Sequence, residues 1–368
     1  MTKTAVAEET YFSSPGETVQ DLLDERQWNQ KELASRLGIS LKTVNQLITG
    51  KAPLTEKTAR KLVSVLGGSL TFWLNREANY RAKLEEQEQR QRLSDWTAWL
   101  TKLPVKDLIA AGAIPALRLD AKNRPALVAA LLKFFSVASP DEFERNYGRL
   151  SPAYRRMRVD HSDRYAIAAW LRLGELAAEK VTAPTFSRPK FKKALQEIRG
   201  MTVQSPEKFS PRLIELCKAA GVTLVFVPKI PRAHVAGVTR WLGPTRPLIQ
   251  MSLYGGTNDH FWFTFFHEAA HVLNPKKSQV IVDLNRPTTI DHAEEQANAF
   301  ARETLIPTAS RGEFARLSNL YEIKAFAARL QIHPAIVLGC LQHDKIIPYQ
   351  TTMNGLKVSF EIVGPSKN

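Results

Sequence analysis

The five residues His267-Glu268-Ala269-Ala270-His271 constrain this chain more than any other feature. Two histidines four apart point the same way on a helix, one turn above the other. The neighbours bury that helix, because Phe261, Trp262, Phe263, Phe265, Phe266, Val272 and Leu273 surround it with apolar side chains. Paired imidazoles on a rigid element, with a carboxylate beside the first, suit metal-assisted hydrolysis: two neutral nitrogens hold the ion and a base reaches water. His267 and His271 are therefore candidate ligands and Glu268 a candidate general base.

A third ligand is expected on Asp291-His-Ala-Glu-Glu-Gln-Ala-Asn-Ala-Phe-Ala301, a second helical segment whose carboxylates lead an apolar face. Glu294 and Glu295 are both candidates at this point. His260, two turns before His267, reads as a surface or capping residue, and His292 as a neighbour of the site at most. Cys217 and Cys340 sit in apolar helical runs and read as packed thiols.

A second constellation lies near the start. Gln30-Lys-Glu-Leu-Ala-Ser-Arg-Leu-Gly-Ile-Ser-Leu-Lys-Thr-Val-Asn-Gln-Leu-Ile-Thr49 has what two short helices crossing at a tight turn require. Ala34 is small at the crossing, Gly38 tolerates positive φ, and Ser40 caps the following helix. Leu33, Leu37, Ile39, Val44 and Leu47 form the shared apolar contact. Lys42, Thr43, Asn45, Gln46 and Thr49 stay outward on a face suited to a DNA major groove, where Asn and Gln pair with adenine edges and Lys with guanine or phosphate. Gln30, opening the first helix, is placed to hold a backbone phosphate.

The rest of the chain frames these two sites. From Glu17 to about Leu74, short helical patterns punctuated by Gly38, Gly50, Pro53 and Gly67 indicate an all-helical module. Tyr80 to Arg92, dense in Glu, Gln, Lys and Arg, reads as an exposed spacer helix. Helical periodicity continues to about Glu179, in Pro125–Phe135 and Arg164–Ala178, without a motif of its own. Beyond Pro184, Val222–Pro228 and Pro247–Ser252 read as short strands, so the His267 region belongs to an α+β domain.

With 51 Lys and Arg against 36 Asp and Glu among 368 residues, the net charge of +15 favours a polyanionic partner. Two cysteines exclude a disulfide framework and fit a reducing compartment. The polar, acidic start lacks the order of a secretory signal, and no stretch approaches the ~18 apolar residues of a membrane span. The expected location is cytoplasmic, with no membrane partner.

Ser14-Pro-Gly-Glu17, the Gln30–Thr49 segment, Gly50-Lys51 before Thr55-Glu-Lys-Thr-Ala59, and Ser69-Leu-Thr-Phe-Trp73 with Tyr80 resemble HigA-type antitoxins of the Xre, lambda-repressor-like family. The resemblance covers about the first quarter of the chain. It implies five helices, a homodimer reading a palindromic double-stranded operator, and a toxin partner.

Phe261-Trp-Phe-Thr-Phe-Phe-His-Glu-Ala-Ala-His271, Glu294-Glu-Gln-Ala-Asn-Ala-Phe-Ala301, Leu305-Ile-Pro307 and the tail Ala325–Gly339 resemble the ImmA/IrrE metallopeptidases. Carried over, His267 and His271 bind Zn2+, Glu268 is the base, and the carboxylate three before the Ala-Asn pair is Glu294. The sequence departs from that family at Ala270, where Gly is usual, and at Asn274-Pro275, where a Leu-His step is common. Pro275 should end the helix a turn after His271.

The expected fold class is α+β and mostly helical: a five-helix lambda-repressor-like domain over residues 12–80, a helical linker and middle region over 81–180, a zincin-like α+β domain with a small sheet over 184–310, and a C-terminal helical segment and tail over 311–368. The expected function is an operator-binding regulator fused to a zinc endopeptidase that cleaves a protein substrate, a repressor or an antitoxin. The rival is an antitoxin or repressor whose zinc domain senses or docks a partner without proteolysis.

Overall fold

Every helix of the N-terminal unit begins on a polar cap that its sequence supplies. The computed structural model describes residues 13–147, 163–252, 256–274 and 288–359. It divides into a unit up to Thr97 and a second from Ala98. In the first, α1 (Pro15–Glu25) starts at a capping box in which Ser14 and Glu17 exchange two hydrogen bonds of 3.1 Å. Asn29 caps α2 (Gln30–Leu37), Ser40 caps α3 (Leu41–Ile48), Thr55 caps α4 (Glu56–Leu66) and Ser69 caps α5 (Leu70–Asp95). Gly38 ends α2 with φ at 61°, the left-handed turn expected of it.

Val19, Leu23, Leu33, Leu37, Val44, Leu47, Ala59, Leu62 and Trp73 close the core of this unit, with Ile39 partly buried against it. At Gly16 an added Cβ would stand 2.3 Å from the Ile48 carbonyl oxygen, so α1 crosses the end of α3 at backbone contact. The fifth helix and the expected spacer are one continuous helix of 26 residues, so the expected limit at 80–81 falls inside α5. Its first turns are anchored: Trp73 donates to the Gly67 carbonyl at 3.0 Å and Arg81 to that of Gly50 at 3.1 Å.

The second unit is built on a three-stranded sheet, β1 (Thr223–Phe226), β2 (Gly237–Trp241) and β3 (Pro247–Met251), in the order β1-β3-β2. β1 runs parallel to β3 and β2 antiparallel to it. Period-two alternation divides the strands between two cores. Leu224, Ile249 and Met251 face the helix Asn258–Leu273, hereafter the motif helix, while Val225, Val238 and Leu248 face the helix Arg164–Glu179.

The helix Arg164–Glu179, expected as part of a separate middle region, therefore covers the second face of the sheet. Trp170 is fully buried there. Gln250, also fully buried, donates to the Trp170 carbonyl at 2.6 Å and accepts from Arg240 at 3.1 Å, and Arg240 in turn pairs with Glu175 at 2.6 Å. A Cβ on Gly174 would lie 1.8 Å from the Gln250 side chain, so only glycine fits beneath this network.

The helix Thr288–Leu305, hereafter the carboxylate helix, packs along the motif helix, and the helices Leu320–Leu330 and Pro334–His343 close the same core. The motif helix ends at Leu273, and Pro275 lies outside the described residues. Strand β2 escaped the sequence reading because Gly-Val-Thr-Arg-Trp, buried at Gly237 and Val238 and half-buried beyond, carries no clear alternation. Among the described residues no helix is long and apolar enough to cross a membrane.

Candidate metal centre and nucleic-acid interface

The motif helix is held from below by its aromatic residues: Trp262 is fully buried and packs on Phe209 with ring centroids 4.7 Å apart. That packing sets the rotation of the helix about its axis, so His267 and His271 emerge together at its edge with side chains 15% and 12% exposed. Their Nε2 atoms lie 3.1 Å apart. Glu294 projects from the carboxylate helix onto the pair, one oxygen 3.2 Å from His267 Nε2 and the other 3.4 Å from His271 Nε2. Glu295, one residue on, faces away and stands 3.7 Å from His292 on the exposed side.

The donor set fits a metal ion. A tetrahedral ion with ligand bonds of about 2.0–2.2 Å separates its donor atoms by about 3.3–3.6 Å. The spacings of 3.1, 3.2 and 3.4 Å are close to that. Asn298, one turn beyond Glu294, places Oδ1 2.9 Å from His267 Nδ1. If that oxygen accepts the Nδ1 proton, Nε2 presents its lone pair to His271 and Glu294. Lone pairs facing at this distance repel unless a proton or a cation lies between them. Among the described residues, His267, His271 and Glu294 form the one such cluster, and no fourth side chain joins it.

Electrostatics follow from this crowding. Burial works to lower the pKa of His267, but the hydrogen bond to Glu294 and the charges of Glu268 and Glu294 leave it above the ordinary histidine value. Burial works to raise Glu294, and the two imidazoles outweigh it, holding the carboxyl well below the usual range. Glu268 is 2% exposed, and burial pushes its pKa up against the pull of both histidines.

Two residues that sequence reasoning passed over shape the Glu268 side. Strand β2 runs against the motif helix there: Thr239 donates to the Glu268 carbonyl at 2.9 Å, and a Cβ on Gly237 would stand 3.1 Å from Glu268 Cγ. Asn298 had a legible signal, its four-residue spacing from Glu294, whereas Thr239 and Gly237 had none because β2 was unread.

His260 is exposed two turns before His267 and stays outside the cluster, and His292 contacts Gln296 at 2.9 Å on the outer face. Cys217 and Cys340 are buried, and burial pushes the Cys340 thiol up to about 12.

In the N-terminal unit, Lys42 and Asn45 are exposed on α3, with Thr43 and Gln46 half-buried beside them. Ser40 accepts from the Thr43 amide at 3.1 Å and Thr49 donates to the Asn45 carbonyl at 2.8 Å, so both hydroxyls also serve the ends of α3. Gln30 is half-buried at the first position of α2, where Asn29 supplies the cap that sequence reasoning had not assigned.

Comparison with known proteins places a family on each site. Residues 19–73 match the helix-turn-helix model, and residues 234–338 match the IrrE N-terminal-like domain of the Peptidase M78 family. The chain thus carries a helix-turn-helix domain followed by an M78 peptidase-like domain. Its N-terminal part is similar to YddM, an uncharacterized HTH-type transcriptional regulator of Escherichia coli strain K12, with 43% identity over 61 residues. That match covers 17% of this chain and 65% of the relative, just under two thirds of its length. The M78 match begins at His234, after β1 and the helix Arg164–Glu179, although both build the sheet on which the motif helix rests.

Proposed function

We propose that this chain is a DNA-binding transcriptional regulator fused to a zinc-dependent endopeptidase that cleaves a regulatory protein, a repressor or an antitoxin. The observation that carries the reading is the cluster of His267, His271 and Glu294 beside the buried carboxylate of Glu268, in a chain that also carries a helix-turn-helix. His267, His271 and Glu294 would hold the ion. Zn2+ bound there supplies the Lewis acidity that polarises a scissile carbonyl and an attacking water.

The remaining steps belong to the chain. Glu268 takes a proton from the water and returns it to the leaving amine. Its burial suits the first half of that task, because a carboxylate whose pKa is raised is the stronger base towards a proton of the water. Asn298 holds the His267 ring for coordination. In the N-terminal domain, Lys42, Asn45 and Gln46 reach base edges, Ser40, Thr43 and Thr49 steady α3 against the backbone, and Gln30 meets a phosphate. The +15 charge adds a salt-sensitive attraction to DNA. A homodimer would match a palindromic operator, with a toxin as a further protein partner.

Two measurements test this. Purified chain should carry one zinc and cleave the repressor encoded beside it. Glu268→Gln should keep the zinc and slow cleavage by about 10²–10⁴-fold, the usual contribution of a general base; a zinc-loaded variant that cleaves at the wild-type rate refutes the peptidase reading. Lys42→Ala with Gln46→Ala should abolish footprinting on the native promoter while the fold persists. An unchanged footprint refutes the assignment of α3.

A further inference from the structure

Charge is unevenly divided along this chain. Residues 1–97, which hold the helix-turn-helix, carry 14 Lys and Arg against 13 Asp and Glu, and residues 98–368 carry 37 against 23. Almost all of the net +15 therefore belongs to the unit that holds the His267 cluster, not to the one that matches a DNA-binding family.

Among the described residues the densest cationic segment of that unit is Arg188, Lys190, Lys192 and Lys193, and no carboxylate occurs between Glu179 and Glu197. The four occupy the first two turns of the helix Arg188–Gly200. Phe191, Ala194, Leu195 and Ile198 bury the other face of this helix in the core that carries the motif helix, so the cations stand exposed on a rigid support. Their placement is unfavourable for the helix alone. Arg188 and Lys192 are four apart and Lys190 and Lys193 three apart, so like charges are neighbours, and they sit at the positive end of the helix dipole. The first turn holds no acidic residue, and Ser187 at the cap makes no side-chain hydrogen bond to it. Elsewhere exposed arginines meet carboxylates, as Arg60 meets Glu56, Arg90 meets Glu86 and Arg212 meets Glu197. Among the described residues none of these four cations has an ion pair.

Four unneutralised charges over about 8 Å of helix are complementary to a duplex that carries one phosphate charge per about 1.7 Å of its axis. An acidic protein is the less suitable occupant, because a protein interface needs an apolar centre and no large hydrophobic side chain within residues 180–200 is exposed. Covalent linkage to the helix-turn-helix also raises the concentration of DNA available to this face.

We propose that Arg188, Lys190, Lys192 and Lys193 form a second, sequence-independent contact to the phosphate backbone of the DNA that the first unit selects. The inference rests on the DNA-binding reading of that unit, but the two fail separately: footprinting reads the base contacts of α3, whereas a duplex without operator sequence reads the backbone contact.

Anisotropy titration of the full-length chain with such a duplex, between about 50 and 200 mM salt, tests the assignment. Replacing all four cations by Gln should lower the slope of log K against log salt by about 3–4, at about 0.9 for each phosphate contact. A charge-matched control, Lys106→Gln with Lys122→Gln, Lys324→Gln and Lys345→Gln, removes four exposed cations elsewhere on the unit and should lower it by less than about 1. An unchanged slope in the first variant, or an equal fall in both, overturns the proposal. Lysine acetylation of the wild-type chain, read by mass spectrometry, needs no variant to fold: the duplex should protect Lys190, Lys192 and Lys193 and leave Lys324 open. Absence of that protection refutes the contact. Protection by poly-L-glutamate at equal charge, but not by the duplex, refutes it in favour of an acidic protein.

Discussion

Asn298 shows how one side chain prepares a centre it does not enter. Its oxygen, 2.9 Å from His267 Nδ1, is placed to hold the ring angle and to accept a proton carried on Nδ1. Removing such a partner typically weakens metal affinity by 10–100-fold. Asn298→Ala should therefore lower zinc affinity by about that factor in a chelator competition, and Asn298→Asp should restore much of it. Unchanged affinity in the alanine variant would mean that His267 is oriented by its packing alone. Glu294 was selected through family resemblance, since adjacent carboxylates on one helix cannot be told apart by spacing until its rotation is known.

Helix ends supply the next level of control. His333 caps the helix Pro334–His343 as an acceptor: its Nδ1 lies 3.2 Å from the Ala335 amide and 2.9 Å from Asn258 Nδ2. Both contacts need a neutral ring, and burial lowers the pKa of His333 against the opposing pull of Asp259. A histidine with a lowered folded pKa contributes stability that is full above its unfolded value of about 6.5 and is lost as the pH falls towards the folded value. His333→Asn keeps a good cap and removes that dependence, whereas His333→Ala loses about 1 kcal/mol of capping at neutral pH. Thermal unfolding at pH 7.5 and 5.5 should show a smaller loss of Tm on acidification for the asparagine variant than for wild type. An equal loss would assign the acid sensitivity to other groups.

For the whole molecule, the two-faced sheet sets the limits of the M78 peptidase-like unit. Val225, Val238 and Leu248 are buried against the helix Arg164–Glu179, and Gln250 and Arg240 find hydrogen-bond partners on it. A fragment beginning at residue 184 exposes those side chains and leaves the polar pair without those partners, at about 1–3 kcal/mol for each group that stays buried. That is a large share of a typical stability of 5–15 kcal/mol. The fragment 98–368 should unfold cooperatively and bind zinc, and the fragment 184–368 should show no cooperative transition by circular dichroism. Cooperative melting of the shorter fragment would make the outer helix dispensable.

Patterns of short range were legible without coordinates. The four-residue spacing of His267 and His271, the cap at Ser40, the turn at Gly38 and the strands around Leu224 and Ile249 all arise from neighbours within a turn or two of chain. Tertiary structure decided what depends on distant segments meeting. It separated Glu294 from Glu295 by helix rotation, placed β2 against Glu268, merged the spacer with α5, and made the helix Arg164–Glu179 the second wall of the sheet. A buried strand of five residues records that it is covered on both sides, as Pro247–Met251 does, but not which helix covers it, because apolar burial is non-directional and many partners satisfy it equally.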